Sequence, residues 1–388
     1  MNINDFFDPV GLEKPDDYFK PDENCFSHTI AVHTSNNPVG DLSEFDVALM
    51  GVPEDRNSFN KGAAKAPDKI RQKLYQLTGF KKGKKIIDLG NLKKGATPND
   101  TYYGIAEVVA FLQDAGLIVI IMGGTQDNTL GTIMPFQKQD NYPYLLSFDS
   151  RLDYKTNEEM TNSSNFLHRI IGNAGSLKLL KYLNLGHQIY LNNPDIIEFF
   201  HKQYFDSLRL GLVRMDLPET EPLIRDATII SLDISSVKQG DAPGYFNPSP
   251  NGFLSDEICQ LARYTGISDS VKIFGLYEVN PDFDVNNQTV HLAAQIIWYF
   301  IEGVNNRFDE SPTEDKGGFK KFIVGINKMD NKIVFYKSLK SNRWWMEVPS
   351  SNNPGDSMTV IACSQKDYEL ACNNDLPDRW LREMHRLS

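Results

Sequence analysis

Five short apolar runs, at residues 45–52, 117–122, 144–148, 227–232 and 271–276, each give way to a polar or glycine-bearing segment. Within each run the apolar residues are continuous rather than alternating, which is the pattern of strands covered on both faces in a parallel sheet. Stretches with helical spacing lie between or beside them, at 67–77, 102–115, 176–183, 255–264 and 289–304. Pro67 suits a first helical turn, where its missing N–H costs nothing. Strand alternating with helix predicts βαβ units and a three-layer α/β/α sandwich with a mainly parallel sheet. In such sheets ligands meet the carboxyl ends of the strands. The polar residues just after each run are therefore the ones to read for chemistry.

Residues 1–44 carry four prolines and little periodicity, and predict an N-terminal arm draped over a domain at 45–306. The composition at 307–318 turns to Asp, Glu, Pro, Lys and Gly, as in a linker. Beyond it, 320–326, 332–338 and 343–348 read as short strands and 377–387 as a helix, so that 307–388 forms a small β-rich C-terminal extension. Trp344-Trp345-Met346 fits the core of that extension, the alternative being an exposed aromatic patch for a partner.

Charge and cysteine usage narrow the function classes. The chain of 388 residues has a formal net charge of −11. That argues against nucleic-acid or anionic-membrane partners, which attract basic surfaces. The run Lys81, Lys82, Lys84 and Lys85 reads as a solvated turn. Cys25, Cys259, Cys363 and Cys372 form no CxxC pair, so a reducing, cytoplasmic setting is expected. Cys363 and Cys372 are expected in a loop as plain buried thiols. No basic-then-apolar leader follows Met1. The apolar run 116–122 is far short of the roughly 20 residues a membrane helix needs.

Three post-strand segments carry the candidate chemistry. They are Gly123-Gly124-Thr125-Gln126-Asp127, Asp149-Ser150-Arg151-Leu152-Asp153, and Asp233-Ile234-Ser235-Ser236. Aspartates at the ends of neighbouring buried strands would converge, and unneutralised carboxylates there repel and resist desolvation. Such a cluster asks for a cation. The plainer alternative is that each aspartate only caps the turn that follows it.

These segments resemble the ureohydrolase superfamily (arginase, agmatinase and formiminoglutamase), with the general look nearest formiminoglutamase. The likeness spans roughly 45–305. It includes Gly51-Val52-Pro53 with Gly62-Ala63-Ala64, Pro67 and Ile70-Arg71, and the run from Ser231 and Asp233 through Ala242-Pro243-Gly244, Pro248 and Gly252. Tyr277-Glu278-Val279-Asn280-Pro281 and Asp284 look like the family's last strand and its acidic substrate-side residue. The resemblance implies two manganese ions held by two histidines and four aspartates, bridged by a hydroxide that attacks a guanidino or formimino carbon. Residue by residue, Asp149, Asp153 and Asp233 keep ligand positions. Gln126 and Arg151 stand where the histidines are expected, and Ser235 replaces the fourth aspartate. Lys238 stands where the family tends to have another acid.

The candidate catalytic residues are thus Asp149, Asp153, Asp233 and Glu278. His168 lies where the family has its serine-glycine substrate loop, and is either a proton shuttle or an ordinary packing histidine. A guanidinium cannot ligate a metal but pairs well with carboxylates, so Arg151 is expected to reach Asp149, Asp153 or Asp233 and neutralise them from within. The leading expectation is a binding or structural protein without binuclear hydrolysis. No metal cofactor is then expected, and the ligand would be small and cationic or guanidino-like. The alternative is an active hydrolase of a formimino, guanidino or related C–N bond, with magnesium, calcium or manganese held in an all-oxygen site by Asp149, Asp153, Asp233 and the Gln126 carbonyl. A third is a subunit whose extension binds another protein. The resemblance also implies a homo-oligomer.

Overall fold

The computed structural model describes residues 2–11, 23–137, 142–155, 160–171, 177–313, 317–326, 332–349 and 358–387. The larger sheet takes β1 (Phe7–Asp8), β2 (Ala31–Val32), β3 (Val47–Gly51), β4 (Ile86–Leu92) and β5 (Ile118–Met122) from the first part of the chain. It continues with β6 (Tyr144–Phe148), β7 (Lys181–His187), β8 (Asp206–Arg209), β9 (Ile229–Asp233) and β10 (Ile273–Tyr277). Their order is β1-β4-β3-β5-β10-β9-β6-β7-β8, with β2 also against β4. All the pairings are parallel except that of β1 with β4.

Successive strand residues face opposite sides. In β3, Val47 and Leu49 enter one core while Ala48 and Met50 enter the other. Helices Ala66–Leu74, Ser255–Ile267 and Gln288–Asn305 cover the first face, and Pro98–Asp114, Thr129–Gln137 and Pro194–Lys202 the second. The expected three layers are present. Register then decides where the chemistry falls. Met122 lies beside Leu276, Leu276 beside Leu232, and Leu232 beside Phe148. Gly123, Tyr277, Asp233 and Asp149 therefore leave the sheet at one level.

Several elements, β8 (Asp206–Arg209) among them, depart from the sequence reading. The segment expected as a helix at 176–183 leads instead into β7, which starts at Lys181; Ser176 lies outside the described residues. Strand β4 was not anticipated, because it contains Asp88, Gly90 and Asn91. Asp88 is fully buried, and Arg71 binds it through Nε at 2.8 Å and Nη2 at 3.1 Å, with Tyr75 Oη donating at 2.9 Å. The N-terminal arm does more than drape, since β1 and β2 both pair with β4.

The C-terminal residues form an antiparallel sheet of β11 (Phe319–Gly325), β12 (Lys332–Ser338), β13 (Trp344–Pro349) and β14 (Met358–Cys363), followed by helices Gln365–Cys372 and Asp378–Leu387. Trp344, Met346 and Trp380 are buried in its own apolar cluster. Trp345 is also buried, under the Arg225 guanidinium, which lies 4.6 Å from the ring centroid while its Nη1 donates to the Trp344 carbonyl at 2.8 Å. Cys363 ends a strand and is buried, while Cys372 ends a helix and is exposed, so the expected loop is corrected; all four thiols are free. Among the described residues no helix is long and apolar enough to cross a membrane.

Candidate functional site

The turn after β5 is built for close approach. Gly123 and Gly124 have φ of +77° and +71°, and a Cβ at Gly124 would fall 2.5 Å from the Val52 carbonyl. Only glycine adopts this path cheaply. It delivers the Gln126 side chain across the ends of β6 and β9.

Asp149, Asp153 and Asp233 are all buried, and each offers an oxygen within 4.8 Å of the others. Two of them also cap their own turns: Asp149 Oδ1 accepts from Arg151 N at 2.8 Å and Asp233 Oδ1 from Ser235 N at 2.6 Å. The capping and the converging readings are both true of the same side chains. The Gln126 amide lies between the first two. With its nitrogen facing them, as the hydrogen-bonding chemistry demands, it donates to Asp149 Oδ2 at 3.0 Å and Asp153 Oδ2 at 2.9 Å. Its oxygen then accepts from Ser231 Oγ at 3.3 Å.

Burial makes the charged forms expensive. Asp149 is held well above the ordinary carboxylate range, by burial first and then by Asp153 and Asp233. Asp153 is pushed up to about 7 by burial and then by Asp233, and Asp233 up to about 6 by burial. Close carboxyls of this kind titrate as a set.

Glu278 joins the same floor and follows β10 with φ +66°, an unusual conformation for a non-glycine residue. Its Oε1 accepts from Gln126 N at 3.0 Å and its Oε2 from Asn60 Nδ2 at 2.9 Å. Burial and then Asp233 raise its carboxyl well above the usual range. Asn60 was not singled out in the sequence, and it holds three parts of the site together. Its Nδ2 also donates to the Glu278 carbonyl at 2.8 Å, and its Oδ1 accepts from Phe246 N at 3.2 Å. Asn192, also missed, pins the 149–153 turn by accepting from Leu152 N at 2.6 Å and donating to the Ser150 carbonyl at 3.0 Å.

Arg151 departs from expectation. Among the described residues no ion pair joins its guanidinium to Asp149, Asp153 or Asp233. Its charge only lowers Asp153 and Asp233 through space, against burial. The reason is local: Arg151 is the middle of a turn whose two ends point inward, and its backbone is held by Asp149 Oδ1 and by Asn184 Nδ2. The side chain is left half-buried on the wall of a cleft. Ser235 lies in the site, its Oγ 3.5 Å from Ser150 Oγ. Lys238 turns to Asp241, 3.4 Å away. His168 is not brought to the carboxylates; it packs edge-on against Tyr154 and lines a separate cavity with Asn57, Asn99 and Arg169.

The cleft above the floor has a volume of about 920 Å³, and Asp153, Asp233 and Glu278 lie at its base. Tyr154, Phe199, Tyr245 and Phe246 contribute to its walls.

Comparison with known proteins agrees with this geometry. Formimidoylglutamase of Corynebacterium efficiens is 25% identical over 280 residues, covering 68% of this chain and 87% of the relative. That of Bacillus subtilis is 22% identical over 276 residues, covering 66% and 86%. The solved structure of Trypanosoma cruzi formiminoglutamase with manganese superposes with a TM-score of 0.63 at 18% identity, covering 69% of this chain and 96% of that one. The Bacillus subtilis formimidoylglutamase structure gives 0.65 at 20%, covering 78% and 98%. These likenesses establish the fold. The family model described as "Arginase family" matches residues 45–302, which include every strand from β3 to β10, and on that match the chain belongs to the arginase family.

Proposed function

We propose that this arginase-family chain binds a small organic cation at its carboxylate floor and does not assemble a binuclear manganese centre. The observation that carries the reading is the Gln126 amide seated between Asp149 and Asp153, whose nitrogen reaches them at 3.0 and 2.9 Å in the orientation that satisfies its hydrogen bonds. An amide nitrogen so placed offers no lone pair to a metal, the amide oxygen is then turned to Ser231, and a guanidinium offers none at neutral pH. At the six positions where the resemblance implies ligands, this chain has three carboxylates, an amide, a guanidinium and a hydroxyl (Asp149, Asp153, Asp233, Gln126, Arg151 and Ser235). That donor set does not fit two ions, which a hydrolytic pair needs about 3.5–4 Å apart. The relatives' name, formimidoylglutamase, describes their activity, and of the six ligands the resemblance implies for it this chain keeps three.

One observation favours a second reading. The three aspartates converge closely enough to hold a single hard cation, and all-oxygen ligands suit magnesium or manganese better than zinc. In that case the chain would be a hydrolase of a linear amidine using an altered metal site. Elemental analysis of the purified full chain, with manganese titration calorimetry and a formimidoylglutamate hydrolysis assay, separates the readings. The expected result is no tightly bound transition metal and no turnover. Two manganese ions per chain with turnover would overturn the proposal, and one bound ion with turnover would select the second reading.

A further inference from the structure

Around the acidic floor the cleft is walled by rings, and we infer that the cation it takes carries an aromatic group. The inference rests on the ligand-binding reading above and deepens it. On one wall Tyr154 stacks on Phe199 with centroids 5.2 Å apart, and on another Tyr245 meets Phe246 edge-on at 4.7 Å. Phe59 and Phe246 at the lip are 70% and 40% exposed. Large apolar side chains left in water beside a cavity mark a surface that gains by being covered. Rings also attract cations through their faces.

The lip is held to the floor through Asn60, whose Oδ1 accepts from Phe246 N at 3.2 Å while its Nδ2 donates to Glu278 Oε2 at 2.9 Å. Phe59 is the residue before it. One buried side chain thus ties the Phe246 backbone to the Glu278 carboxyl. The volume of about 920 Å³ is at the upper end of the roughly 300–1,000 Å³ of small-molecule pockets, far more than a bare guanidinium fills. The lining carries carboxyl groups from Asp153, Asp195, Asp233 and Glu278 against the cations Arg151 and Lys155, and Lys155 Nζ is turned to Ser164 Oγ at 3.0 Å.

The test is calorimetry on the full chain with methylguanidine and agmatine against benzamidine and phenethylguanidine. The aryl cations should bind about tenfold tighter, the size of one or two aromatic contacts. Phe59→Ala and Phe246→Ala should each weaken aryl-cation binding more than methylguanidine binding and so remove most of that preference. If Phe246→Ala fails to fold, the highly exposed Phe59→Ala decides alone. Equal binding of aryl and alkyl cations, or a preference that survives the variants, would overturn this inference and leave the function reading standing. Binding of none of the cations would overturn both.

Discussion

The Gln126 side-chain amide lies between Asp149 and Asp153, and with its nitrogen turned to them it reaches Asp153 Oδ2 at 2.9 Å and Asp149 Oδ2 at 3.0 Å. A neutral side chain thus does what an internal cation was expected to do, giving two crowded buried carboxyls a shared donor. Its removal should be felt. Gln126→Ala is expected to lower stability by about 1–3 kcal/mol, the cost of leaving buried acceptors unsatisfied. Urea denaturation at neutral pH measures it, and an unchanged midpoint would show that the amide does not hold the pair.

A second expectation concerns pH. Burial raises Asp149 and Glu278 well above the usual range, Asp153 to about 7, and Asp233 and Asp127 to about 6. Raised carboxyls bind more protons folded than unfolded, so their stabilisation is present below the unfolded value and is lost as pH rises through the folded one. Between about pH 5 and 7.5 the loss is on the order of 1.4 kcal/mol per pH unit for each group that still holds its proton in the folded state. His187 and His291, whose rings burial holds below their ordinary value, act in the opposite sense but are outnumbered by these carboxyls. The metal-free chain should therefore melt higher near pH 5 than near pH 7.5, and Asp153→Asn should flatten the slope. A melting temperature that rises across this window would contradict the account.

Two arginines should behave oppositely on truncation. Arg71 is buried with Asp88 in a two-point ion pair that also includes Tyr75. Arg71→Ala leaves a buried charge without its partner, and about 3–5 kcal/mol should be lost. Arg151 has no such pair among the described residues, so Arg151→Ala should fall within about 0.5 kcal/mol of the parent. Thermal or urea unfolding of the two variants side by side tests this, and a large loss at Arg151 would mean its guanidinium does reach the carboxylates.

The fold was legible wherever a strand is apolar throughout. Strands β3, β5, β6, β9 and β10 all fall on continuous apolar runs, and those are the central strands whose ends form the site. Strand β4 was hidden because Asp88 is buried only by virtue of Arg71 and Tyr75, a contact no local pattern reports. Strand β7 was read as a helix because the leucines before and within it recur at helical spacing, whereas the sheet buries Tyr182, Leu183 and Leu185 from both faces. Pairing with β6 and β8 overrode local propensity.

The site was legible as residue types at strand ends, and less so as directions. Asp149, Asp153 and Asp233 were noticed at the ends of buried strands, while their ligand roles and Glu278 came from the family resemblance. Gln126 was noticed as a departure from a family pattern, but its role as a bridging donor depends on the glycine turn before it. Arg151 was expected inward, and the 149–153 turn sends it to the cleft wall. Asn60 meets Glu278 across 218 positions of chain, a separation at which a single sequence carries no signal.

Restoring the missing ligands should restore metal binding but little catalysis. Replacing Gln126 and Arg151 with His and Ser235 with Asp would recreate two nitrogen and four oxygen donors. The geometry favours the attempt at two of the three positions. Gln126 already reaches Asp149 and Asp153, and Ser235 N already touches Asp233 Oδ1 at 2.6 Å. Arg151 is the weak point, because its backbone is fixed by Asp149 and Asn184 with the side chain turned to the wall. The three changes share partners, so their effects should couple rather than add. Supporting groups also matter to affinity, and Thr125 is committed to Asp127, with its Oγ1 2.6 Å from Asp127 Oδ1. Lys238, engaged by Asp241, is less of an obstacle than its charge alone suggests. The triple variant should therefore bind manganese measurably, at one ion per chain more readily than two, with weak hydrolysis at best. Calorimetry decides: a folded triple variant that takes up no manganese would mean that the aspartates and the introduced groups do not share one site.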